Sequence, residues 1–174
     1  MIDPQGKMMN ENDRMNITID LAEEALAKGE MPISACVFWG DQIVAKAYTS
    51  EKSDGRLLVH AELKALLAAD ILQYNVQDRK QLQLFTTLEP CLMCYGAALS
   101  FYLGGIYYSL KAPEDGAFSL VNFDHFNSDY LKFQKPSVSG GFCIERSKAL
   151  FKKYKDTIDS EYMRSFADQV IKCN

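Results

Sequence analysis

Apolar side chains recur at helical spacing in several stretches of the chain. The first stretch starts at Asp13, a residue type that caps helix N-termini, and stops at Gly29, a residue type that often ends helices. Such spacing indicates amphipathic helices that pack one face against a core. The pattern therefore predicts helices between Asp13 and Gly29 and over residues 59–70, 90–101, 143–154 and 160–172.

Short apolar or alternating segments lie between these helices and are typical of strands. Residues 33–39 and 42–49 flank a Gly-Asp turn, which predicts a hairpin. Further short strands are predicted over residues 83–87 and 106–109, whereas residues 112–139 look irregular. Because strands alternate with helices along the chain, we expect an α/β sandwich.

The chain has 174 residues, a length that fits one domain with a single core. We expect a flexible N-terminal tail over residues 1–12 and one domain over residues 13–174. The tail is polar, and no apolar run approaches the length that spans a bilayer. The five cysteines do not suggest a secreted disulfide framework, so we expect a cytoplasmic protein.

The strongest chemical signal is a pair of thiols, Cys91 and Cys94, directly after Pro90. We expect Pro90 to start a helix and both thiols to lie on one face of its first turn, where the helix dipole favours thiolate. His60 lies upstream at the predicted start of another helix, with Glu62 two positions later. A histidine and two thiolates would leave zinc a fourth position for water, which suggests metal-assisted hydrolysis with Glu62 carrying the proton.

His-x-Glu followed by Pro-Cys-x-x-Cys resembles the signature of the zinc-dependent nucleobase and nucleoside deaminases of the cytidine deaminase superfamily. The segments HAE and TLEPCLMCYGA are most similar in sequence to the tRNA adenosine deaminases and to relatives that act on free guanine or cytosine. The resemblance covers most of residues 13–155. It implies a three-layer α/β/α sandwich with a central mixed sheet of about five strands, and a homodimer with its active site near the interface.

The resemblance also assigns roles to individual residues. Zn²⁺ would be held by His60, Cys91 and Cys94, and Glu62 would pass a proton from water to the departing amine. Ala61 and Leu88 would hold the base through backbone groups. The substrate-binding residues implied by the resemblance are Ile33, Thr49, Ala61 and Leu88.

The sequence departs from the family pattern where the substrate is chosen. Thr49 stands where many members carry an asparagine, and an apolar segment over residues 57–59 leads to the histidine. The chain has a net charge of −4 and a pI of about 5.2, so it lacks the overall basic character that is typical of nucleic-acid-binding proteins. These features favour a small nucleobase or nucleoside as substrate, with deamination of adenosine to inosine in tRNA as the alternative.

Two interpretations remain open at the level of sequence. The basic run over residues 146–155 could form a phosphate-binding face for tRNA, although a solvated helix face is the commoner use of such a run. A non-catalytic structural zinc module is the alternative of another class, with His125 as the fourth protein ligand. A closed structural site would give Glu62 no purpose, so Glu62 separates this alternative from the enzyme.

Overall fold

The computed structural model describes residues 8–120 and 135–174. The predicted sandwich is confirmed: a five-stranded, open mixed sheet has helices on both faces. The strand order is β2-β1-β3-β4-β5, antiparallel between the first three and parallel between the last three. The elements are α1 (Glu11–Ala27), β1 (Ser34–Trp39), β2 (Gln42–Tyr48), α2 (Glu51–Asp54), α3 (Ala61–Asp70), α4 (Val76–Arg79), β3 (Leu82–Leu88), α5 (Leu92–Ser100), β4 (Gly105–Leu110), α6 (Ala117–Leu120), β5 (Ser137–Gly140), α7 (Ile144–Thr157) and α8 (Glu161–Lys172).

The three layers follow from side chains that alternate across the central strands. Val37 of β1 and Leu84 of β3 are register partners on one face, where α3 and α5 cover them. Cys36 and Phe85 are partners on the other face, in the core that α1 and α7 close. Burial raises the pKa of the Cys36 thiol to about 11, which is the behaviour of a small buried apolar side chain.

Element ends differ from the predicted pattern at several places. Helix α1 begins at Glu11, inside the predicted tail, because Asn10 is the N-cap and Asp13 completes a capping box with it. Strand β5 was missed because its four residues are all exposed and give no apolar signal. Residues 1–7 of the predicted tail lie outside the described ranges. Within those ranges, no helix combines the length and the hydrophobicity needed to cross a bilayer.

Candidate metal and catalytic site

Two helix N-termini meet at the carboxyl end of β3, and they bring the predicted ligands together. His60 is the N-cap of α3, and Cys91 is the N-cap of α5. The prediction that Pro90 starts the helix is wrong, since α5 begins two residues later and Cys91 has extended backbone angles. His60 Nδ1 lies 3.6 Å from Cys91 Sγ and 3.7 Å from Cys94 Sγ.

These distances fit zinc. Tetrahedral zinc, with bonds of about 2.0–2.1 Å to nitrogen and about 2.3 Å to sulfur, places nitrogen and sulfur ligands about 3.6 Å apart. One ligand atom each from His60, Cys91 and Cys94 lies within 4.8 Å of the others. The cluster therefore offers three protein ligands in the geometry of a catalytic zinc site.

The two thiols differ in pKa, because one donates a hydrogen bond to the other. The pKa of Cys91 is lowered, first because the Cys94 thiol hydrogen-bonds to it and further because His60 lies beside it. The same hydrogen bond and burial raise the pKa of Cys94. His60 has a raised pKa, chiefly through its hydrogen bond with Cys91. The cluster thus favours a thiolate at Cys91, the form that binds metals.

Glu62 is buried beside the candidate metal ligands. It occupies the first turn of α3, two residues after His60, and its Oε1 accepts a hydrogen bond of 2.7 Å from Thr86 Oγ1. The Cys94 thiol lies 3.6 Å from the other carboxylate oxygen. Burial raises the pKa of Glu62, while the bond from Thr86 acts in the opposite direction. A carboxyl with a raised pKa next to a metal site is suited to proton transfer.

A cavity of about 500 Å³ opens onto these groups. His60, Glu62 and Cys91 lie in its wall, whereas Cys94 is buried behind it. The four residues that the resemblance implied as substrate-binding also line it, so the structure brings them together around the ligands. These are Ile33, Thr49, Ala61 and Leu88.

Thr49 lines the cavity, but its hydroxyl is bonded to other protein groups. The side chain is buried, and its Oγ1 donates to Glu51 Oε1 at 3.2 Å and lies 3.5 Å from the carbonyl of Val59. The hydroxyl is therefore engaged by protein groups.

The sequence pattern missed part of the cavity wall. Helix α8 supplies one side of it, and Tyr162 of that helix donates a hydrogen bond of 3.1 Å to Glu114 Oε2. Gln169 Nε2 donates to the other oxygen of Glu114, also at 3.1 Å. Amphipathic spacing could indicate that α8 has a buried face, but no local signal places that face beside His60. The missed lining residues include Glu51, Glu114, Tyr162, Met163 and Phe166.

Glu89 organises the segment that follows β4. Its buried carboxylate accepts hydrogen bonds from the backbone N–H groups of Ala112, Phe118 and Ser119 and from the Ser119 hydroxyl. A Cβ on Gly116 would come within 2.7 Å of this carboxylate, so only glycine fits there. Glu89 thus fixes the part of the cavity wall to which it belongs.

Replacing Glu89 with alanine is expected to lower the free energy of unfolding by about 3 kcal/mol, because several buried donors lose a charged acceptor. Urea unfolding followed by circular dichroism measures the change. Glu24, an exposed carboxylate of α1, provides the control substitution. A loss of less than about 0.5 kcal/mol, the range of ordinary surface changes, would contradict this role.

The basic run over residues 146–155 is partly neutralised within the chain. Arg146 forms ion pairs with Asp20 and Glu23 of α1, and Lys155 pairs with Asp168 of α8. The aromatic side chains of the run, Phe151 and Tyr154, are buried in the core and are not available to stack on bases. His125, the proposed fourth ligand of a structural site, lies outside the described residues.

Comparison with known proteins agrees with this geometry. Residues 8–110 match the family model of the cytidine and deoxycytidylate deaminase zinc-binding region. The chain is 31% identical over 150 residues to the tRNA-specific adenosine deaminase of Rickettsia bellii, a match that spans 82% of this chain and all of that protein. It is 35% identical over 133 residues to the tRNA(Ile)-lysidine synthase of Deinococcus radiodurans, which spans 73% of this chain and only 21% of that protein.

Solved structures share the fold. A structure from a study of A-to-I editing by tRNA:A34 deaminases superposes with a TM-score of 0.66 and 25% identity, covering 78% of this chain and 96% of the other. The guanine deaminase from Nitrosomonas europaea superposes with a TM-score of 0.70 and 20% identity, covering 84% of this chain and 85% of the other. The family model covers more than half of the chain and includes the three candidate ligand residues and Glu62. This chain therefore belongs to the cytidine and deoxycytidylate deaminase family of zinc-dependent hydrolases.

Proposed function

We propose that His60, Cys91 and Cys94 hold the zinc ion and that Glu62 moves the proton during hydrolytic deamination of a small nucleobase or nucleoside. One observation carries this proposal. A zinc-compatible set of one imidazole nitrogen and two thiols lies beside a buried carboxylate, in the wall of a cavity of about 500 Å³. The volume falls within the range of about 300–1,000 Å³ that is typical of small-molecule sites.

The residues divide the work of hydrolysis between them. Zinc, when bound, supplies the Lewis acidity that activates water at neutral pH. Glu62 accepts a proton from the attacking water and delivers it to the amino group, so that a C–O bond forms, the C–N bond breaks and ammonia leaves. Ala61 is the first residue of α3, where backbone N–H groups have no partner within the helix, and such a donor can orient a ring nitrogen or carbonyl.

The charge of the cavity supports an unphosphorylated substrate. Among the described residues that line it, five are carboxylic acids and none is lysine or arginine. A phosphate group in this cavity would meet the like charge of these carboxylates, and no lysine or arginine among the described lining residues would compensate it. An uncharged base or nucleoside avoids that repulsion. The five acidic residues are Glu51, Glu62, Glu89, Glu114 and Asp115.

Deamination of adenosine in tRNA is the second candidate, and similarity favours it. The Rickettsia bellii relative named as a tRNA-specific adenosine deaminase aligns over its whole length at 31% identity. Lys152 and Lys153, which follow the buried Phe151 on α7, are exposed and could contact phosphates. Phosphate contacts would make binding strongly dependent on salt concentration.

Ammonia release from a panel of substrates separates the two candidates. We expect the zinc-loaded protein to deaminate at least one free base or nucleoside, and to act at least about tenfold less efficiently on the corresponding nucleoside 5′-phosphate because of the acidic cavity. The Glu62→Gln variant serves as the blank. Turnover of a tRNA anticodon stem alone, with no base or nucleoside consumed, would contradict the preference for small substrates.

We also propose that the protein is a cytoplasmic homodimer. All five cysteines are free, and the two ligand thiols need a reducing compartment to stay available for zinc.

Large apolar side chains are exposed next to the ligands in sequence, which supports an interface near the site: Leu57 and Leu58 precede His60, and Leu92 follows Cys91. A monomer in sedimentation equilibrium would contradict the dimer.

A further inference from the structure

Glu51 lies on the side of His60 that faces away from the thiols. Its Oε1 is 3.5 Å from His60 Nε2, while the opposite ring nitrogen, Nδ1, faces Cys91 and Cys94. The two side chains are 25% and 24% exposed, so solvent screens them only in part. The imidazole is thus placed between the metal ligands and a carboxylate.

The carboxylate is itself held in place. Glu51 Oε1 accepts a hydrogen bond of 3.2 Å from Thr49 Oγ1, whose side chain is buried. The short helix α2 that carries Glu51 is fixed at its N-terminus by the buried Glu30, which accepts from the backbone N–H groups of Lys52 and Ser53 at 3.2 and 2.8 Å. The carboxylate of Glu51 and the backbone that follows it are therefore both held by hydrogen bonds within the chain.

We propose that Glu51 is a positioning residue for the metal centre, which accepts a hydrogen bond from Nε2–H of His60 and holds Nδ1 toward the zinc. The inference rests on the zinc site of the proposed function. A ligating histidine needs its other ring N–H fixed, because that bond sets both the tautomer and the orientation of the ring. Thr49 then acts through Glu51 rather than by contacting the substrate with its hydroxyl.

A direct contact between Glu51 and the substrate is the rival role, since Glu51 also lines the cavity. The two roles predict different measurements. A positioning residue changes the affinity of the protein for zinc in the absence of substrate. A substrate contact changes KM and leaves zinc affinity as it was.

The test compares zinc dissociation constants, measured by chelator competition without substrate, for Glu51→Ala and Glu51→Gln. We expect Glu51→Ala to bind zinc about 10–100-fold more weakly, the usual effect of removing such a partner. Glu51→Gln keeps an oxygen acceptor and should recover most of the affinity. Asp54→Ala is the matched control, because it removes a carboxylate from the same short helix without touching His60.

Each outcome decides the matter. Zinc affinity of Glu51→Ala within twofold of the unmodified protein would overturn the inference, and so would Asp54→Ala weakening zinc as much as Glu51→Ala. A glutamine variant that binds as weakly as the alanine variant would overturn the hydrogen-bond account. If Glu51→Ala does not fold, the glutamine variant and the NMR signal of the His60 Nε2–H in the zinc-loaded protein provide the test: this proton should be protected from exchange. Failure of the unmodified protein to bind zinc at all would instead reject the proposed function.

Discussion

Replacing Glu62 with glutamine is expected to lower kcat about 10²–10⁴-fold while zinc remains bound, because the amide cannot accept and return a proton. Glutamine has nearly the same shape, and its carbonyl oxygen can still accept the hydrogen bond from Thr86. The fold should therefore be preserved. Ammonia release at saturating substrate and zinc content by elemental analysis are the two measurements.

The control for this variant is Glu24→Gln, which changes an exposed carboxylate of α1 that does not line the cavity. It should keep full activity. A Glu62→Gln protein that retains zinc and more than about a tenth of normal kcat would show that proton transfer does not depend on Glu62.

Replacing Cys94 with serine is expected to abolish stable zinc binding. The change removes one of the three proposed protein ligands, so the loss should exceed the roughly 10–100-fold that removal of an outer partner costs. Bound zinc stabilises only the folded state, so the variant should also lose the rise in melting temperature that added zinc gives the unmodified protein. Chelator competition and thermal unfolding with and without zinc measure both effects.

Cys173→Ser is the matched control, since Cys173 is an exposed free thiol at the end of α8. It should bind zinc like the unmodified protein. If Cys94→Ser retained one equivalent of zinc through dialysis against a chelator, Cys94 would not be a ligand. The match between the three side chains and tetrahedral zinc geometry would then not indicate a zinc site.

The sequence pattern predicts most of the fold because its central elements carry strong periodic signals. Cys36 and Val37 face opposite sides of the sheet, and each meets an apolar partner on β3. The candidate metal cluster could also be predicted from the sequence, because His60 and the cysteine pair lie at two helix N-termini that meet in the fold. Strong local constraints of this kind can be identified in one sequence.

The rest depends on tertiary packing. Strand β5 is held by backbone pairing with β4, and its exposed side chains leave no apolar pattern. Tyr162 reaches the cavity only because α8 packs against α7 and hydrogen-bonds to Glu114. Glu51 stands in a polar segment, the short helix α2, whose sequence does not indicate that it packs beside His60.

The measurement that tests the central claim most directly is ammonia release from the best substrate of the panel by zinc-loaded, chelator-stripped and zinc-restored protein. The account predicts activity in the first sample, its loss in the second and its return in the third. Full activity in the stripped protein, or no ammonia from any amino-substituted base, nucleoside or RNA in the loaded protein, would contradict it.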